Sequence, residues 1–162
     1  MKILTPHYYY DSIFDIDLDK LKQLGIQGLI IDIDNTLVGW DTQLPTSAVK
    51  DWLEELSKRG FRICLVSNNN KKRVMFFAKE LNLPFIYQAR KPMKRNFWGA
   101  IKLLGTTVNT TAVIGDQIFT DVLGGNRLQL TTILIKPIKS KEFWWTNLVR
   151  KIERHVLKKV IK

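Results

Sequence analysis

Asp32-Ile33-Asp34-Asn35-Thr36-Leu37 sets two carboxylates two positions apart. In an extended chain, side chains at that spacing point to the same side. Asp32 and Asp34 are therefore expected to face one space. Carboxylates that close repel, so a cation or a shared proton must hold them. All-oxygen ligands favour Mg²⁺. Further along, Ser67-Asn68-Asn69-Asn70 offers a hydroxyl and backbone N–H groups just before a helical pattern, which makes a phosphate cradle. Arg90-Lys91-Pro92 puts a lysine on a turn that Pro92 stiffens. An ammonium there can neutralise a phosphoryl group and the carboxylates around it. The stretch Gly115-Asp116-Gln117-Ile118-Phe119-Thr120-Asp121 adds two carboxylates, fit to complete a magnesium site or to orient Lys91. Singly, each cluster also has an ordinary structural reading: an Asp-Asn turn, a Ser/Asn helix cap, a solvated Lys-Pro loop, and a Gly-Asp turn before a helix.

Their order carries more than any one of them. Short apolar, β-branched runs predict strands at Gly28–Asp32, Arg62–Val66, Phe85–Tyr87, Thr111–Ile114 and Thr131–Ile135. Helical spacing predicts helices near Leu18–Leu24, Ala48–Arg59, Lys72–Leu81, Phe97–Leu104 and Phe119–Leu128. The alternation predicts an α/β fold with a largely parallel sheet. Each chemical cluster follows its own strand, at the carboxyl edge where open α/β sheets place their ligands.

The whole chain, 1–162, fits one domain. Apolar residues make up 45% of it, ordinary for a globular protein. No apolar run approaches the ~20 residues that span a bilayer. The opening MKILTPHYYYD reaches Pro, His and Asp too soon for a secretory signal, and the single Cys64 forms no internal disulfide, so a cytoplasmic location is expected. Net charge is +11, of which +7 falls between Lys136 and Lys162, where nine Lys and Arg face two Glu. This imbalance calls for an anionic partner. Residues 141–162 read as one amphipathic helix, with an apolar stripe through Trp145, Leu148, Val149, Ile152, Val156 and Val160.

The ordered set resembles the haloacid dehalogenase superfamily. Its motif D-x-D-x-T/V-L/V is matched by Asp32 to Leu37, its strand-ending Ser or Thr by Ser67, its lysine by Lys91, and its G-D-x(3,4)-D by Asp116 and Asp121. The stretches DSIFDIDLDKLKQLGIQGLIIDIDNTL, VSNNN, ARKP and IGDQIFTDVLGGN are similar to the YqeG-like group of subfamily IIIA phosphatases, a group similar to the phosphatidylglycerophosphatase family. The resemblance implies a three-layer, Rossmann-like parallel sheet with helices on both faces. It implies an Mg²⁺-dependent phosphomonoester hydrolase that forms an aspartyl phosphate. Asp32 is then the nucleophile and Asp34 the acid and base. Ser67, Asn68 and Lys91 bind phosphate. Asp32, Asp34 (through its main-chain carbonyl) and Asp116 hold the metal, and Asp121 and Thr36 support the site.

Related enzymes often insert a cap domain. Leu37 to Ser67 has room for one helix and one strand, and Ser67 to Lys91 for another such pair, so no cap domain is expected. An open site suits a bulky substrate, or borrows a lid from a neighbouring subunit in an oligomer. With the basic tail and Phe143, Trp144 and Trp145, it also suits a phosphorylated lipid headgroup and peripheral membrane contact, while the same helix equally suits packing onto the sheet with its basic face in water. A soluble sugar phosphate, nucleotide or phosphoprotein remains an alternative substrate. Receiver-type signalling modules use similar groups in a different strand order. Nothing in the chain reads as a zinc finger or an RNA-reading aromatic motif. Ser67 lacks the G-x-S-x-G setting of a serine hydrolase.

Overall fold

A computed structural model describes residues 2–139 and Lys151 of the chain. The helix expected at 141–162, with its tryptophans, lies outside the described residues. The first strand, β1 (Tyr8–Tyr10), and helix α1 (Leu18–Gln23) precede β2 (Gly28–Ile31), α2 (Ser47–Lys58) and β3 (Arg62–Val66). Then come α3 (Lys71–Leu81), β4 (Phe85–Ile86), α4 (Lys94–Leu104), β5 (Thr111–Gly115), α5 (Leu123–Asn126) and β6 (Thr131–Ile135). A π-helical turn, Ile118–Val122, leads into α5.

All six strands run parallel, in the order β1-β6-β5-β2-β3-β4. Side chains of a strand alternate between faces, and here both faces are covered. On one side Leu29, Ile31, Ile63, Leu65 and Ile114 pack against Leu21 of α1, Val49, Trp52, Leu53 and Leu56 of α2, and Val74 and Phe77 of α3. On the other, Ile30, Cys64, Val66 and Val113 meet Phe97, Ala100, Ile101 and Leu104 of α4. These are the three layers expected. Among the described residues, a loop and the single helix α2 lie between β2 and β3, and α3 alone lies between β3 and β4.

Helix starts follow local chemistry. Thr46 accepts a hydrogen bond from the Val49 N–H, and Asn70 accepts one from the Arg73 N–H, each side chain satisfying an N–H that the first turn leaves unpaired. Helix α4 starts at Lys94, three residues before the expected Phe97, because its Met93 cap makes no side-chain bond and its first turn is polar. Strand β1 was not expected. Its three tyrosines are half-buried and pair on one side only, with Ile133, Leu134 and Ile135 of β6, so they show neither an apolar run nor an alternation.

Strand β3 buries Cys64 completely, and burial pushes its thiol up to about 12. A thiol reagent at mild alkaline pH is expected to leave the native protein unmodified and to label Cys64 at once in denaturant. Labelling of the folded chain at the rate of a free thiol would contradict this packing.

Candidate active site

The pairing of β2 with β5 continues one step past the strand, as the Asp32 N–H donates to the Ile114 carbonyl at 3.0 Å. That bond sets Asp32 at the carboxyl edge, beside the residues that leave β5. The chain then folds back tightly. The Ile33 carbonyl accepts from the Leu37 N–H at 3.0 Å, and Asn35 takes a left-handed conformation with φ 63°. Asparagine tolerates that conformation better than most residues. The tight turn carries the Thr36 hydroxyl between two acids, 3.3 Å from Asp32 Oδ2 and 3.3 Å from Asp116 Oδ1.

Lys91 is buried and reaches in from the segment after β4. Its ammonium donates to Asp32 Oδ1 and to Asp121 Oδ1, at 2.7 Å each. Asp121 comes from the π-helical turn and also accepts from the Gln117 N–H. It fits only because residue 115 is glycine: a Cβ there would lie 2.2 Å from Asp121 Cγ. Asp32, Asp116 and Asp121 each offer an oxygen within 4.8 Å of the others. Three buried carboxylates beside one ammonium leave an excess of negative charge. That charge and the all-oxygen donor set fit a hard divalent cation.

The titration of these groups follows from the crowding. Burial pushes Asp116 up to about 9, reinforced by the charges of Asp32 and Asp121. Burial also raises Asp32, against the opposing pull of Lys91, to about 6. For Lys91, burial pulls the ammonium down, but Asp121 and Asp32 outweigh it and hold it above the ordinary lysine range.

Asp34 stands apart from this cluster. One carboxylate oxygen accepts from Arg73 Nη2 at 3.0 Å and Nε at 3.3 Å, and the other from Asn69 Nδ2 at 3.1 Å. Ser67 is buried, and its hydroxyl oxygen accepts from the Asn69 N–H at 3.1 Å. The Asn68 amide is tied to the main chain of Lys91, accepting from its N–H at 2.7 Å and donating to its carbonyl at 3.3 Å. The residues singled out from the sequence thus gather at one edge, with Asn68 bracing Lys91. Arg73 and Asn69 were missed as partners of Asp34. Arg73 stands 39 positions from Asp34 within a run of three cations, which carries no local signal.

A model of the haloacid dehalogenase-like hydrolases matches residues 13–129. The chain belongs to this family. It is 42% identical over 96% of its length to a protein described as a probable phosphatase, YqeG, of Bacillus subtilis, and covers 91% of that protein. It is 24% identical over 98% of its length to a phosphatidylglycerophosphate phosphatase of Arabidopsis thaliana and spans 48% of that longer protein. Among solved structures, it resembles the cobalt-bound deoxy-D-mannose-octulosonate 8-phosphate phosphatase of Haemophilus influenzae, with a TM-score of 0.51 at 18% identity, over 59% of this chain and 61% of that one. This last likeness is one of fold. The chain is a phosphatase of the haloacid dehalogenase type, and phosphatases of this family are generally metal-dependent.

Two outcomes follow from the geometry. Gly115→Ala is expected to push Asp121 off Lys91, lowering stability by about 1–3 kcal/mol, as other overpacked sites do, and activity with it. Urea melts and phosphate release would check this. The second concerns pH. Asp116 has a folded pKa near 9, above its unfolded 3.8. Its contribution to stability is therefore complete below 3.8 and lost as pH rises toward 9. Asn does not titrate, so without metal Asp116→Asn is expected to gain thermal stability relative to the parent across that window. Adding Mg²⁺ is expected to stabilise the parent more than the variant. Parallel melting curves across pH would refute this.

Proposed function

We propose that the chain hydrolyses phosphate monoesters through an aspartyl phosphate on Asp32, with Mg²⁺ as the metal and phosphatidylglycerophosphate as the substrate. The observation that carries the chemistry is the buried Lys91 ammonium shared by Asp32 and Asp121 beside Asp116. Lys91 holds Asp32 Oδ1, and Thr36 lies against Oδ2. The nucleophile is thus gripped at both oxygens before substrate arrives, which removes motion that would otherwise oppose attack.

An oxygen of Asp32 attacks phosphorus, the bond from phosphorus to the alkyl oxygen breaks, and the phosphoryl group stays on Asp32. Asp34 gives its proton to the departing alkoxide, then takes one from the water that attacks the aspartyl phosphate. That attack regenerates Asp32 and releases inorganic phosphate. Ser67 and the Asn68 N–H that follows it hold the phosphoryl oxygens, and Lys91 offsets their charge. Asn68 keeps Lys91 in register through its main chain. Asp121 anchors the ammonium. Asp32 and Asp116, with the main chain at Asp34, would hold Mg²⁺, which would supply the positive charge that screens carboxylate from phosphate. Arg73 and Asn69 orient Asp34, and an arriving phosphate ester competes with Asp34 for the guanidinium.

The lipid substrate rests on the likeness to the Arabidopsis phosphatase and on the absence of an inserted domain over the site among the described residues. Asp32→Asn is expected to lower Mg²⁺-dependent phosphate release from an aryl phosphate by at least about a thousandfold, on the scale seen when a nucleophile is removed. Activity that persists would remove Asp32 from the nucleophile's role. A panel of lipid, sugar, nucleotide and protein phosphates is expected to give the highest kcat/KM with phosphatidylglycerophosphate. A soluble phosphate ahead of it would overturn the lipid assignment.

A further inference from the structure

Two segments at the carboxyl edge, 67–75 and 87–95, flank the side of the site where Arg73 meets Asp34. Neither contains an Asp or a Glu. Within them Arg73 and Lys91 are committed to Asp34, Asp32 and Asp121. Lys71, Lys72, Arg90, Lys94 and Arg95 are exposed, and none forms a salt bridge among the described residues. Elsewhere some exposed cations are paired, as Lys58 is with Glu54, Arg59 with Glu55 and Asp19, and Lys139 with Asp41; the rim differs in having no acid in either segment.

The two segments form one surface. The Gln88 N–H donates to the Asn69 carbonyl at 2.9 Å, the Ala89 N–H to the Ser67 carbonyl at 3.0 Å, and the Lys71 ammonium lies 5.8 Å from the centre of the Tyr87 ring. Gln88 and Arg90 both take left-handed conformations, with φ of 46° and 50°. Backbone strain of that kind persists only where the surroundings impose it, and the buried Ala89 between them is the anchor.

Large apolar side chains stand at the same edge of the sheet. Met93 is 54% exposed inside the basic surface. Phe119, from the segment after β5, is 49% exposed, and Trp40, from the segment after β2, is 57% exposed. All three leave the sheet at the edge where Asp32 lies. Cations attract an anionic leaflet, and apolar side chains gain by entering it. A nucleic acid would satisfy the cations but would leave Met93 without a matching environment.

We propose that this basic, apolar-studded rim docks onto an anionic lipid bilayer and sets the mouth of the site against the headgroups. The purpose of such docking rests on the lipid-phosphate reading above; the binding itself does not. The test is co-sedimentation of the full chain with vesicles of one-third phosphatidylglycerol in phosphatidylcholine. The parent is expected to bind these and to ignore pure phosphatidylcholine. Lys94→Glu/Arg95→Glu is expected to lower binding by at least about fivefold, with hydrolysis of p-nitrophenyl phosphate kept within about twofold as the sign of an intact fold. The matched change Lys58→Glu/Lys102→Glu, at the opposite edge of the sheet, is expected to leave binding near that of the parent. A second variant, Met93→Ser/Phe119→Ser, keeps all charges and is also expected to lower binding.

Equal losses for the two charge reversals would mean that net charge alone acts, and would overturn the proposal. So would vesicle binding unaffected by the rim variants, or a rim reversal that abolishes binding to a single-stranded RNA oligonucleotide while vesicle binding stays unchanged. Asp32→Asn separates docking from turnover, because it should bind vesicles as the parent does. Vesicles bound without phosphate release from phosphatidylglycerophosphate by the parent would remove the substrate and leave the surface. Release from a detergent dispersion without vesicle binding would remove the surface and leave the substrate.

Discussion

The buried ammonium of Lys91 is the contact on which the site depends. Asp32, Asp116 and Asp121 come from two adjoining strand ends and sit almost wholly out of water. Gathering three such acids is unfavourable, and breaking a buried ion pair by removing one partner typically costs about 3–5 kcal/mol. Lys91 bonds two of the acids directly, and Thr36 reaches toward the third. Much of the surrounding sequence serves to hold that ammonium: the Asn68 clamp on its main chain, the absent side chain at Gly115, and the turn that carries Asp121. The net negative charge that remains is what a divalent cation would relieve.

The parallel sheet explains why these groups meet. With all six strands running the same way, every strand ends at one edge, and the segments that follow β2, β3, β4 and β5 stand side by side. Residues distant in sequence, such as Asp32 and Asp116, are thereby made neighbours through register alone: Ile31 pairs with Ile114, one step before Asp32. The same geometry concentrates at that edge the exposed cations and apolar side chains that frame the site. The acidic site and the exposed rim around it are thus consequences of one strand direction.

Much of this was legible in the sequence because buried parallel strands are short apolar runs and each chemical cluster sits just after one. β2, β3, β5 and β6 were read to within a residue, and the acids, Ser67 and Lys91 were placed at their ends. What escaped was set by tertiary pairing. Tyr8–Tyr10 becomes a strand only because β6 offers it an edge. The expected helix at Phe119–Leu128 is instead a π-helical turn followed by the short α5, and this segment places Asp121 over Gly115. The Arg73–Asp34 pair joins two segments through space, with no periodicity to announce it. Asn68 was read as a phosphate contact from its neighbours, yet its amide is spent on the Lys91 main chain.

The two strands at the margins of the sheet are the shortest in it: β1 has three residues and β4 has two. A margin of that length offers few free N–H and C=O groups for another chain to pair with. Growth of the described sheet by strand addition from a second copy is therefore disfavoured. A molecule with several large apolar side chains in water thus keeps its backbone hydrogen bonds to itself, which guards it against fibrous self-assembly.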